Sequence, residues 1–194
     1  MADTPWLSDD EQSAWRAFLE VWRLLTAQLE AELQRDQGLS HADYQVLVHL
    51  SEAPGHRVRM SDLSAQALLS RSRLSHQIRR MEQAGLVRRE GCPTDRRGAF
   101  AVLTDHGWRT IRTAAVGHVS AVRQHLFDHL SAEQVSDLLA MMAPVVAHLR
   151  TTEAGSHYQS LWQRNSGGSG EPGCVEAVAE VVGRPTGSGD RPAH

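Results

Sequence analysis

The stretch 86–103 constrains this chain more than any other. "LVRRE" (86–90) and "AFAVL" (99–103) are short runs of strand-forming residues. Between them lies "GCPTDRRG" (91–98), with two glycines and a proline, which is turn chemistry. The segment therefore predicts one β-hairpin with a turn over 91–98. A lone hairpin is marginal in water and must lie against something else. Everything around it, from residue 8 to about 150, carries the three-and-four spacing of helices. The expected fold is mainly α with a small β-hairpin.

The helical segments have clear punctuation. Trp15, Phe18, Trp22, Leu25 and Leu29 form one apolar stripe over 8–36. Ser8, followed by Asp9, Asp10 and Glu11, starts that helix, and Gly38 ends it. Ser40 caps a second helix, with Asp43 three residues on in a capping-box position and Tyr44, Leu47, Val48 and Leu50 on its apolar face. "EAPGH" (52–56) reads as a loop, and Ser61 as the cap of a short helix carrying Leu63 and Ala67. Ser70 opens a helix over 71–84 that Gly85 stops. After the hairpin, Thr104 and Asp105 begin a long helix to about 130. Ser131 and Gln134 begin a last one to about 150, where Pro144 predicts a kink. Beyond 153 the Gly, Ser and Pro content predicts a flexible tail, 153–194.

Charge is unevenly spread. The net charge is −3, yet ten arginines lie between Arg57 and Arg97 against Asp62, Glu82, Glu90 and Asp95. That zone carries +6, so the rest carries −9. The chain has no lysine, so every fixed cation is a planar fork suited to phosphate and guanine. On the helix 71–84, Leu74, Ile78 and Met81 share one face. Ser72, His76 and Arg79 share the opposite one, flanked by Arg73, Ser75 and Arg80. A basic helix of this kind fits the major groove of B-DNA. It follows a short helix after a tight connection, as in a helix-turn-helix. The hairpin behind it carries Asp95, Arg96 and Arg97 at its tip, and an arginine there can enter the adjacent minor groove.

"LSHADYQVLVHL" (39–50), "MSDLSAQALLSRSRLSHQIRRMEQAGLVRRE" (60–90) and "DRRGAFAVLTDHG" (95–107) together resemble the MarR family of winged helix-turn-helix regulators, over about residues 9–150. The resemblance implies a winged helix-turn-helix domain over 39–104. A helical dimerisation region would come from both chain ends, 1–38 and 105–152. It further implies a homodimer on double-stranded DNA at a pseudo-palindromic operator, acting as a repressor in the cytoplasm. Ser70, Arg71, Ser72, Arg73, Ser75, His76, Arg79 and Arg80 would serve the recognition helix, and Asp95, Arg96 and Arg97 the wing. Family members commonly release DNA when a small aromatic effector binds between the dimer helices and the winged domain. Trp15, Trp22, His41 and Tyr44 are the candidates to line such a site.

Other readings compete. His118, His125 and His129 fall on one stripe of the long helix, as candidate metal ligands or as partly buried polar residues. Cys92 sits among wing arginines that would lower its pKa, but Cys92 and Cys174 form no Cys-x-x-Cys pair. A redox or metal sensor, or a scaffolding dimer without DNA binding, are the alternatives. No resident cofactor is implied. No nucleophile triad, phosphate loop or paired-carboxylate motif stands out, so an enzyme is not expected. No apolar run is long enough to span a bilayer, and the N-terminus lacks a secretion signal.

Overall fold

The computed structural model describes residues 5–92, 95–152 and 155, and leaves the side chains of Cys92, Asp95, Arg96 and Arg97 undescribed. The expected flexible tail and Cys174 lie outside the described residues. The elements run α1 (Asp9–Gln37), α2 (His41–Glu52), β1 (Arg57–Arg59), α3 (Met60–Gln66), α4 (Arg71–Gln83), β2 (Val87–Cys92), β3 (Asp95–Leu103), α5 (Asp105–His125) and α6 (Ala132–Thr151). Short 3-10 turns follow α2 and α5, at Pro54–His56 and Phe127–His129.

Most helix boundaries sit where the capping residues put them. Ser8 and Glu11 close a reciprocal capping box on α1, and Ser131 and Gln134 do the same on α6. Gly38, with φ of 65°, ends α1 by donating to the carbonyls of Leu33 and Gln34. Ser70 and Thr104 accept from the third backbone N–H of α4 and α5.

Five expectations need correction. First, residues 57–59 carry no expected element, yet they form β1. It pairs antiparallel with β3, Val58 opposite Ala101, giving a three-stranded sheet of order β1-β3-β2. Three residues carry too little alternation to announce a strand. Second, Ser61 does not cap α3. The helix leaves β1 directly, Arg59 holds the cap position, and the Ser61 hydroxyl binds Asp62 at 3.1 Å. Third, the turn of the hairpin is shorter than 91–98. β2 and β3 continue to Cys92 opposite Asp95. The register slips between Gly91 and Cys92, which sets Arg96, Arg97 and Gly98 at an irregularity in β3. Fourth, α5 ends at His125 and a 3-10 turn takes the chain to His129.

The fifth correction concerns α2. The Ser40 hydroxyl accepts from the Asp43 N–H at 3.1 Å, but Asp43 does not complete a capping box. A different donor of the same helix end, the His41 N–H, is accepted by the carboxylate of Glu30 from α1, at 2.5 Å. The Asp43 side chain turns to α4, where it accepts from Gln77 and Arg80.

One buried cluster holds the elements together. Leu47, Leu50, Leu63, Leu74, Ile78 and Met81 are fully buried, and the cluster extends to Leu33 of α1 and Ile111 of α5. Packing therefore crosses the expected boundaries at 38 and 104. By contrast, the first half of α1 and all of α6 lie outside it. No residue of α6 is buried against its own chain.

The wing and α5 meet at a close backbone contact. The Thr104 hydroxyl donates to the Gly85 carbonyl at 2.6 Å and accepts from the Gly107 N–H at 3.0 Å. A Cβ on Gly107 would sit 2.0 Å from the Leu86 carbonyl oxygen. Only glycine fits there without moving β2 off α5. Gly107→Ala is expected to cost about 1–3 kcal/mol, since backbone cannot yield as a side-chain tip can. Chemical denaturation of the variant checks this, and an unchanged midpoint would show that the contact is slack.

Candidate nucleic-acid interface

α4 has the two faces its sequence implies. Leu74, Ile78 and Met81 are in the core, and Gln77 is buried beside them. Arg71, Ser72, Arg73, His76 and Arg79 are exposed, and Ser75 is half-buried. Ser70 divides its hydroxyl between the Arg73 N–H at 3.3 Å and the Ser72 hydroxyl at 3.1 Å. A fixed, basic, hydroxyl-bearing helix surface results, presented by α3 and α4 in a helix-turn-helix. The turn between them includes Leu68 at φ 51°.

Arg80, expected at that surface, and Arg89 of the wing are both engaged with the fold. Arg80 lies on the flank of α4, and its Nη2 sits 2.8 and 2.9 Å from the two oxygens of buried Asp43. Gln77 Nε2 adds a third bond to the same carboxylate, at 3.1 Å. Arg89 of β2 ties the wing to α4. Its Nε lies 3.2 Å from Glu82 and its Nη2 donates to the Ser75 carbonyl at 2.7 Å. Ser75 thus belongs in part to the joint between helix and wing.

The sheet carries its own charge pairing. Arg88 meets Glu90 at 2.6 Å, and Arg57 lies 3.8 Å from the same carboxylate. The Arg57 guanidinium also stacks over Phe100, 4.1 Å from the ring centre. Arg88 and Arg89 are thus paired within the wing and with α4, and the Cys92 thiol they were expected to flank lies outside the described side chains. Arg96 and Arg97 are set by the backbone at the far end of β3, beside the turn.

The four candidate effector residues do not form one group. His41 and Tyr44 meet, and His118 of α5 joins them, its ring 4.6 Å from Tyr44 and 6.0 Å from His41. Trp15 and Trp22 lie apart, 51% and 64% exposed, with Trp15 stacked on Phe18 at 5.9 Å. His118, a metal candidate from its place on the histidine stripe, faces Tyr44 of α2, a neighbour that only the docking of α5 decides. A cavity of about 220 Å³ opens next to it, between α1 and α5, lined by Leu29, Glu32, Leu33, Thr113, Gly117 and His118 among others.

The histidine stripe is likewise divided. His118 faces Tyr44, His125 meets Glu32 of α1 at 2.7 Å, and His129 lies beyond the end of α5. Among the described residues no group of three or more His, Cys, Asp or Glu is placed to hold a metal ion. Burial, then the nearby charge of His41, pushes the His118 pKa down. Hydrogen bonds from Gln28 and His125 hold the Glu32 carboxyl below its ordinary range.

The last residue of α2, Glu52, is a partly buried acid. Burial pushes the Glu52 carboxyl up to about 7, and its Oε1 is buried with no hydrogen-bond partner among the described residues. Its position at the negative end of α2 acts in the same direction. A carboxyl with a raised folded pKa costs stability once pH exceeds its unfolded value of 4.5, and the cost grows until about pH 7. Glu52→Gln should therefore raise the melting temperature at pH 8 and leave it little changed at pH 4. Equal shifts at both pH values would rule the carboxylate out as the cause.

A helix-turn-helix followed by a hairpin packed on its second helix defines the winged helix-turn-helix class. A family model described as MarR family matches residues 37–98. The transcriptional regulator HosA of Escherichia coli O111:H- is 30% identical over 121 residues, 62% of this chain and 85% of that one. The crystal structure of AbsC, a MarR family transcriptional regulator from Streptomyces coelicolor, is 55% identical with a TM-score of 0.70. It aligns over 77% of this chain and 100% of its own. Sco3205 of the same organism, a MarR family regulator solved in complex with DNA, is 46% identical over 79% of this chain and 96% of its own, with a TM-score of 0.72. The chain belongs to the MarR family of transcriptional regulators. Among the described residues no helix is long and apolar enough to cross a membrane.

Proposed function

We propose that this regulator binds double-stranded DNA as a homodimer, inserting α4 of each subunit into successive major grooves of a pseudo-palindromic operator. The observation that carries this reading is the outer face of α4, where Ser72, Arg73, His76 and Arg79 are exposed on a helix whose other side is locked into the core. Its likeness to Sco3205, solved with DNA, supports the same use. Residues 39–104 are the DNA-reading part, with Ser70 and Arg71 at the helix start near phosphates and Asp95, Arg96 and Arg97 serving the wing. Asp95 orders a neighbouring arginine, which lowers the entropy lost on binding.

Residues 1–38 and 105–152 supply the dimer contacts. Trp15, Phe18, Val21 and Trp22 of α1, and Leu139, Val145 and Leu149 of α6, are exposed in the single chain. An apolar stripe with no partner in its own subunit is stabilised by a second copy. Two-fold symmetry then sets the half-sites about 34–36 Å apart. Introducing charge at both Leu139 and Val145 should convert the dimer to monomer in sedimentation, with loss of operator binding. A monomeric parent protein would sink the dimer.

The regulator acts as a cytoplasmic repressor released by a small aromatic effector. The cavity between α1 and α5, beside His41, Tyr44 and His118, exceeds the roughly 150 Å³ that accommodates one benzene-sized ring. His118 in its lining packs on Tyr44 of α2, and α2 holds α4 through Asp43, so occupancy has a route to the DNA-reading helix. No catalytic step is proposed.

Mobility shifts on duplexes selected from a randomised pool test the reading. Arg79→Ala should weaken binding by about 1–3 kcal/mol and relax base choice at one position per half-site, if its fork meets a guanine edge. Replacing Arg96 and Arg97 together should flatten the salt dependence, because fewer counterions are released. Unaltered affinity and salt slope in both would remove α4 and the wing from the interface.

A further inference from the structure

We propose that Asp43 is a specificity-determining residue for DNA recognition although it touches no DNA: it withholds the Arg80 guanidinium from the phosphates and pins α4 at one angle. The inference rests on the reading that α4 enters the groove.

Arg80 is one step along α4 from Arg79 and its side chain is 63% exposed. On a bare helix it would sweep toward solvent and offer a mobile cation beside the duplex. Such a cation binds any sequence, since phosphate contacts add affinity without base information. Here its Nη2 is bound by both oxygens of Asp43, at 2.8 and 2.9 Å. Asp43 is itself 7% exposed, so the anchor is fixed by packing and its charge has little competing water.

The arrangement is built from both sides. Glu30 of α1 accepts the His41 N–H at the start of α2, which ties that helix end to α1. Gln77, one turn before Arg80 on the same face of α4, is buried and donates to Asp43 at 3.1 Å. One carboxylate therefore holds two positions of α4, three residues apart. Two points on a helix fix its rotation as well as its place, which a single contact cannot do. A helix so held presents Ser72, His76 and Arg79 in one geometry, and that geometry is what makes wrong bases costly.

The test uses the full-length protein, a duplex it selects from a randomised pool, and a scrambled duplex of equal length. Affinities are read by fluorescence anisotropy across a salt series. Arg80→Gln should leave the salt slope as in the wild type, because the guanidinium contributes no phosphate contact. A slope shallower by about 0.9, the value of one released contact on B-DNA, overturns the proposal. Asp43→Asn should free Arg80, tighten the scrambled duplex about three- to tenfold, steepen the slope by about 0.9 and lower selectivity at least as much. In Asp43→Asn with Arg80→Gln, the gain on scrambled DNA should vanish. A gain that persists would mean that the Asp43 charge acts through space, not through Arg80. Equal weakening on both duplexes in Asp43→Asn would make the bridge mere scaffolding. If that variant does not fold, the Arg80→Gln slope alone decides. A wild-type protein that selects no duplex would overturn the DNA reading itself, a result distinct from all of these.

Discussion

The docking of α4 against α2 is the constraint on which the rest depends. Leu74, Ile78 and Met81 seal the apolar side of α4 against a core that includes Leu47 and Leu50 of α2. The Asp43 carboxylate adds a polar clamp at the edge of that contact. Apolar packing is strong but tolerant of small rotations, whereas a carboxylate shared by Gln77 and Arg80 is directional. Together they turn an amphipathic helix into an oriented one.

The wing is fastened to the same helix. Arg89 reaches across from β2 to Glu82 and to the Ser75 carbonyl, so strand and helix move as a unit. At the other end, Thr104 and Gly107 lock the exit of β3 and the start of α5 against Leu86. The hairpin thus has a fixed base on both flanks, while its tip extends beyond the core. A stiff base lets a few tip residues be aimed without a core of their own.

α1 and α5 link this unit to the regions proposed for dimerisation. Their C-terminal and N-terminal halves respectively enter the shared core through Leu33, Ile111 and Ala114. Their other halves run past it. The cavity with Glu32 and His118, and the Glu32–His125 pair, sit where these two helices cross. A molecule seated there would press on both regions at once. The half-buried His118, held toward its neutral form by its surroundings, adds a polar group to that crossing at neutral pH.

Sequence alone determined the helices, because caps and breakers act within a few residues. Ser8, Gly38, Ser70, Thr104 and Ser131 each mark a boundary that the structure keeps. It also separated the inner and outer faces of α4, since a helix of known period needs no partner to define its stripe. Only the tertiary structure decided what depends on contacts distant along the chain. β1 exists because β3 offers it an edge. The Asp43 side chain serves Gln77 and Arg80, 34 and 37 residues away, and not its own helix start. The tryptophans of α1 part from His41 and Tyr44, and the three histidines of the long segment part from each other, because α5 stops at His125 and lies across α1 and α2. Local hydrogen bonding and periodicity are written in neighbouring residues. The pairing of remote side chains is settled only when the core brings them together.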